Sequence, residues 1–114
     1  MKILFIGDIV GKPGRKAVQA LLPGIVGNCG VDIVIANCEN AAGGFGVTRK
    51  VVEELYGSEI DVLTSGNHIW DKKEIEEFID DYETLLRPAN YPVETVGRGS
   101  VVVHAGSGTS LAVV

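Results

Sequence analysis

The sequence predicts an α/β fold built on a mostly parallel sheet. Three observations carry that expectation. Short apolar runs stand at residues 2–6, 32–36 and 60–64; each gives way to a loop bearing Gly, Asn or Asp and then to a helical pattern; and the strand-then-helix unit recurs with no linker between copies. Such alternation favours parallel strands joined by crossover helices, because a tight hairpin cannot connect parallel neighbours.

The elements follow in order. Lys2 to Ile6 (KILFI) is short and bounded by Gly7, which suits a buried strand better than a helix. In GKPGRKAVQALLPGIV, Pro13 can take the first helical position, and Val18, Leu21, Leu22 and Ile25 recur at helical spacing, so they are expected to share the buried face. Pro23 is expected to kink or end this helix. DIVIA (32–36) is the second strand and NCENAAGGFGV (37–47) a Gly-rich loop; Thr48 can cap RKVVEELY, with Gly57 beyond it. IDVLT (60–64) is the third strand. Asp71 and Glu74 have capping-box spacing ahead of a helix whose Ile75, Phe78, Ile79 and Tyr82 would share one face. TLLRPANYP reads as a short strand and a Pro-bounded turn, and SVVVHA and SLAVV as strands separated by Gly-Ser turns. Residues 1–114 are expected to form a single domain that is the N-terminal portion of a longer one, since the last strand carries no polar tail.

With 114 residues, 46% of them hydrophobic and 22% charged, and a mean hydropathy of +0.23, the chain can bury a core and lies far from the disordered regime. The net charge is −5, and its Lys and Arg are scattered, so no basic stripe is available for duplex nucleic acid. The opening apolar run stops at Gly7-Asp8, short of the ~7 to 15 residues of a signal h-region, and no run is long enough to span a bilayer. Cys29 and Cys38 have no CxxC spacing and read as reduced, buried thiols of a cytoplasmic protein. Cys38 as a nucleophile or soft metal ligand is the alternative.

In open α/β sheets, ligands bind outside the carboxyl ends of the strands. Here Asp8 follows the first strand, Glu39 and Asn40 the second, and Asn67 and His68 the third. Turn chemistry explains any one of these; three consecutive strand ends point to a shared site. The donors suit Mn, Fe, Zn or Mg rather than a thiolate site, and Glu39 could bridge two ions ~3.5–4 Å apart. Two divalent ions would outweigh Asp8 and Glu39, leaving a cationic site that attracts phosphate. An Asn67 amide oxygen could ligate without cancelling that charge. His68, ordinarily titrating near 6.5, could donate a proton to a leaving alkoxide; a plain loop histidine and a metal ligand are the alternatives.

Other motifs fail on spacing. Lys12-Pro13 breaks a P-loop reading of Gly7, no GxGxxG follows a strand, and Val10 breaks a DxD pattern at Asp8. Lys12, Arg15 and Lys16 stand near a helix start and serve either phosphate or solvent. His104 reads as an exposed or satisfied strand histidine. The AAGGFG loop is a candidate substrate wall, with Phe45 offering a stacking face.

GDIVGKPGR (7–15), NCENAAGGFGVT (37–48), SGNHIWDKKE (65–74) and LRPANYP (86–92), in that order along nearly the whole chain, resemble the YmdB-like bacterial branch of the calcineurin-like metallophosphoesterases. The resemblance implies a four-layer α/β/β/α sandwich and a binuclear metal centre at which a metal-bound hydroxide opens phosphodiesters. It implies 2',3'-cyclic nucleotides as substrates, with 3',5'-cyclic nucleotides as further candidates. Carried over by position, Asp8 and Asn40 would serve the first ion, Glu39 would bridge, Asn67 would serve the second, and His68 would be the proton donor. Iron is the implied metal, with manganese or magnesium as substitutes. Family members are longer, and a later lone His and an HxH pair supply three more ligands that nothing here matches, so residues 1–114 alone are expected to bind metal weakly and turn over little. The expected partner is a small-molecule cyclic nucleotide or phosphodiester, without duplex nucleic acid or membrane, and with a homo-oligomer left open. Two other functions fit the same residues: a non-catalytic nucleotide- or phosphate-binding module, and a regulatory scaffold.

Overall fold

β1 (Ile3–Ile6), β2 (Ile33–Asn37) and β3 (Val62–Thr64) form a parallel sheet in the order β1-β2-β3. Ile3 is in register with Ile33, and Ile35 with Val62. The computed structural model describes all residues, 1–114. Residues 84–86 extend the sheet beyond β3 by a parallel bridge between Leu63 and Leu85; the Leu86 N–H donates to the Leu63 carbonyl at 2.8 Å. The short strand expected in TLLRPANYP is thus reduced to a bridge.

Alternation along the strands sorts the core onto two faces. Leu4, Ile6, Val34, Ala36 and Leu63 pack with the helices, whereas Ile33, Ile35 and Val62 pack with β4 (Val101–His104) and β5 (Ser110–Val113). These last two strands form an antiparallel hairpin. The result is a helix layer, a parallel sheet and a hairpin layer. The mixed α/β class with a parallel sheet is as expected from the sequence, while the second helical layer of a four-layer sandwich is not formed by these residues. The outer side of the hairpin is open, with Val102 58% exposed.

Three helical expectations need correction. α1 spans Gly11–Cys29 and continues through Pro23, so the helix does not end there. A proline costs its helix one N–H bond but does not end it when flanking turns are held. Here Leu22 and Val26 pack inward on either side of Pro23, and the left-handed Gly30 caps the end by donating to the Val26 carbonyl. The buried stripe is Val18, Leu22 and Val26, while Leu21 and Ile25 are 61% and 41% exposed. Pro13 also lies two residues inside the start rather than at it.

α2 spans Arg49–Tyr56, and the Thr48 hydroxyl accepts from the Val51 N–H at 3.2 Å, as its sequence predicts. The helix expected after Asp71 is different. A 3-10 turn covers Asn67–Asp71, α3 is only Ile75–Phe78, and a second 3-10 turn follows at Ile79–Asp81. No capping box forms, because the Asp71 carboxylate is engaged by His68 and Glu74 makes no side-chain cap. Ile75, Phe78 and Ile79 are nevertheless buried and Tyr82 packs beside them, so the apolar pattern was sound and the regular helix was not.

Candidate functional site

The loops after the three parallel strands are laced together by their backbones. The Ile9 N–H donates to the Asn37 carbonyl at 3.1 Å, Gly11 to Asn40 at 2.9 Å, and Cys38 to Thr64 at 2.9 Å. Gly11 has a φ of +57° and brings its backbone against Gly44; a residue with a Cβ would be strained there. This stitching brings the side chains of the first two loops together. Asn40 donates its amide Nδ2 to Asp8 Oδ2 at 2.9 Å, leaving Asp8 Oδ1 and Asn40 Oδ1 without a hydrogen bond.

Glu39 is held from the second and third loops. Asn37 Nδ2 donates to its Oε1 at 3.3 Å and the His68 backbone N–H to its Oε2 at 2.9 Å, while Asn37 Oδ1 accepts from the Glu39 N–H at 3.1 Å. Gly66 completes the fit: a Cβ there would lie 2.5 Å from Oε1 and 2.6 Å from Oε2. The constraint at 66 is this close approach and not backbone conformation, since its φ is −111°: a side chain there would displace the Glu39 carboxylate. Asn67, between Gly66 and His68, is exposed and its amide has no hydrogen-bond partner in the protein.

Nδ1 of His68 lies 2.7 Å from Asp71 Oδ2. A carboxylate only accepts, so Nδ1 carries the proton and Nε2 is left to act outward. The hydrogen bond to Asp71 and its charge, with smaller contributions from Glu39 and Asp8, hold the imidazole pKa above its ordinary 6.5. Beneath the site Cys38 is fully buried, and loss of solvation pushes its thiol up to about 12. It stays protonated at neutral pH, which counts against a nucleophile or thiolate ligand. Cys29, expected to be buried, is exposed at the end of α1.

For a bound metal the donor chemistry fits: two carboxylates and two amides, with unpartnered oxygens on Asp8, Asn40 and Asn67, suit hard or borderline divalent ions. No group of three or more His, Cys, Asp or Glu side chains is placed to hold a metal on its own, so amide oxygens would have to supply part of any coordination shell.

Other candidates fare unevenly. Arg15, offered to phosphate or solvent, is spent on structure: it donates to the Ala41 carbonyl at 2.6 Å and to Glu54 at 3.1 Å. Lys12 and Lys16 remain exposed. Phe45 is 51% exposed, but one face of its ring carries the Lys72 ammonium at 3.8 Å. His104 is exposed and its Nδ1 meets Ser110 Oγ at 2.9 Å. Sequence reasoning missed Asp71, Asn37 and Gly66 as parts of the site. The i, i+3 spacing of His68 and Asp71 was visible, but a 3-10 turn is what makes that spacing a contact.

A family model described as YmdB-like protein matches residues 4–114. The chain is 49% identical over 114 residues to a 2',3'-cyclic-nucleotide 2'-phosphodiesterase of Bacillus subtilis (strain 168), covering 100% of this chain and 43% of that protein. A crystal structure of a hypothetical protein from Thermus thermophilus superposes with a TM-score of 0.88 at 42% identity, covering 98% of this chain and 43% of the other. That of a novel phosphatase from Mycoplasma pneumoniae gives 0.84 at 31% identity, covering 91% and 38%. The chain therefore spans less than half the length of the curated relatives it matches.

Proposed function

The chain belongs to the YmdB-like protein family, and from that premise we propose that the whole protein is a metal-dependent phosphodiesterase acting on 2',3'-cyclic nucleotides, with 3',5'-cyclic nucleotides as a second class. The observation that carries this reading is the clamped Glu39. Its carboxylate is fixed by Asn37, His68 and Gly66 beside the Asp8–Asn40 pair, at the carboxyl ends of neighbouring parallel strands, where α/β sheets bind ligands. The relative's name supports the substrate class.

Asp8, Glu39, Asn40 and Asn67 would hold two ions, iron first and manganese or magnesium in its place, with Glu39 shared between them. Bound there, the ions would neutralise the phosphoryl oxygens and make water a competent nucleophile near neutral pH. The chain's own contribution is positioning and proton transfer. Water adds its oxygen to phosphorus and gives up one proton to solvent, the bond from phosphorus to the ribose 2' oxygen breaks, and that oxygen takes a proton from Nε2 of a cationic His68, which solvent then reprotonates. Nδ1 of His68 keeps its proton throughout, donating it in a hydrogen bond to the Asp71 carboxylate, which stabilises the charged ring. Residues 1–114 alone bind metal weakly and turn over little, because the side chains present leave the coordination incomplete.

The test is hydrolysis of a nucleoside 2',3'-cyclic phosphate by the whole protein with iron or manganese, alongside elemental analysis of the freshly purified protein. Turnover with stoichiometric metal is expected. A second reading, a non-catalytic phosphate- or nucleotide-binding module, draws on the absence of a three-residue His, Cys, Asp or Glu cluster. Whole protein that binds nucleotide but contains no transition metal and hydrolyses nothing would establish that reading instead.

A further inference from the structure

The LRPANYP block takes no part in the reading above, yet residues 88–92 form one wall of a cleft of about 400 Å³ whose other wall is Gly66 and Asn67. We infer that this cleft, formed by Gly66, Asn67, Pro88, Asn90, Tyr91 and Pro92, is the nucleobase subsite of the enzyme. The inference rests on the proposed function, since it assigns the base of the substrate whose phosphodiester is opened next door.

The wall is rigid. Ser65 Oγ donates to the Leu86 carbonyl at 2.6 Å and the Arg87 N–H to the Arg98 carbonyl at 3.0 Å. The buried Arg87 side chain reaches forward to the Pro88 carbonyl at 2.9 Å. Tyr91 rests edge-on against Trp70, with centroids 5.7 Å apart. Asn90 and Pro92, by contrast, are exposed. A surface held from below and open above binds with little ordering cost.

The lining chemistry selects the ligand. No charged side chain faces the cleft, so it is not built for phosphate. Tyr91 and the two prolines offer flat apolar surfaces, Asn90 offers a carboxamide that both donates and accepts, and Asn67, with its oxygen assigned to the proposed metal site, offers its amide N–H donors. A neutral, planar heterocycle with polar edges matches all of these. Position agrees with chemistry: Asn67 is shared by the cleft and the proposed metal site, so a base and its cyclic phosphate can be held at once. The paired donor and acceptor of an amide also fit more than one base, which points to a subsite that prefers nucleosides over simple phosphodiesters without demanding a single base.

Binding and turnover should be measured on the whole protein with adenosine 2',3'-cyclic phosphate and with the base-free methyl riboside 2,3-cyclic phosphate, in wild type, Tyr91→Ala and Asn90→Ala. Wild type is expected to bind the nucleotide about tenfold or more tightly than the base-free compound, in line with the value of base–aromatic stacking. Tyr91→Ala should remove most of that preference and Asn90→Ala part of it, with base-free binding and kcat unchanged. Asn90, being exposed, can be truncated without disturbing the fold. Equal wild-type affinity for the two compounds, or variants that weaken both equally, would overturn the subsite while leaving the phosphodiesterase reading intact. Preferential nucleotide binding without hydrolysis would uphold the subsite and defeat that reading.

Discussion

The carboxylate of Asp71 meets the imidazole of His68 at 2.7 Å across a single 3-10 turn. Both residues are exposed, so the pair serves less to stabilise the fold than to fix which ring nitrogen faces outward. In the metal-free chain, an NMR titration of His68 should give a midpoint above 6.5, and Asp71→Asn should lower it. The sign follows from the upward shift: the folded state holds the extra proton more tightly than the unfolded one. The associated stability is therefore fully present below about 6.5 and fades as pH rises through the folded-state value. A midpoint unchanged by Asp71→Asn would show that the contact does not govern the ring.

In the whole protein, Asp71→Asn should reduce kcat for a poor leaving group such as a ribose hydroxyl by about tenfold or more, less than the ~100-fold or greater cost of losing the proton donor itself. Hydrolysis of a p-nitrophenyl phosphodiester, whose leaving group needs no proton, should change little. Equal losses on both substrates would indicate a structural role.

Gly66→Ala tests how closely Glu39 is fitted. The added methyl would meet both carboxylate oxygens and push Glu39 away from the His68 N–H. Circular dichroism should stay near wild type, while metal affinity of the whole protein falls by about 10- to 100-fold, as when the groups orienting a ligand are disturbed. Glu39→Gln, which preserves shape and removes charge, should match or exceed that loss.

The two thiols should differ sharply in reactivity. Cys29 is exposed, whereas Cys38 is fully buried with its pKa pushed up to about 12. Alkylation at neutral pH followed by mass spectrometry should give one modified cysteine, at position 29, and a second only after denaturation. Labelling of Cys38 in the folded protein would mean that the floor of the site opens.

Pro23→Ala should stabilise the chain by about 1–3 kcal/mol, because an exposed proline inside α1 withholds one helical N–H. Urea unfolding would register this as a higher midpoint at constant slope, and a lower midpoint would show that the helix depends on a bend at that position.

Local signals in the sequence were dependable where neighbours along the chain decide the outcome. The three strands and the Thr48 cap belong here, since alternation and an N-terminal hydroxyl act within a few residues. Failures occurred where a distant or competing partner intervened. Asp71 has the spacing of a cap, yet His68 takes its carboxylate. Leu21 and Ile25 have helical period with Val18 and Leu22, but only the stripe through Val26 finds the sheet beneath it. Arg15 read as serving phosphate or solvent because nothing nearby in sequence reveals Ala41 and Glu54. The polar residues at the strand tips were legible because parallel topology itself brings those tips together. The cleft beside Asn67 was not, since it arises from a return of the chain at residues 88–92.

β1 lies at the border of the sheet, so one row of its amides and carbonyls faces no strand. Ile3 and Phe5 are 45% and 60% exposed on the side opposite the helices. An uncovered margin of this kind is adhesive towards any extended polypeptide. Residues 1–114 studied by themselves are therefore prone to concentration-dependent clumping, and a Lys in place of Phe5 would give a better-behaved sample for spectroscopy without touching the residues around Glu39.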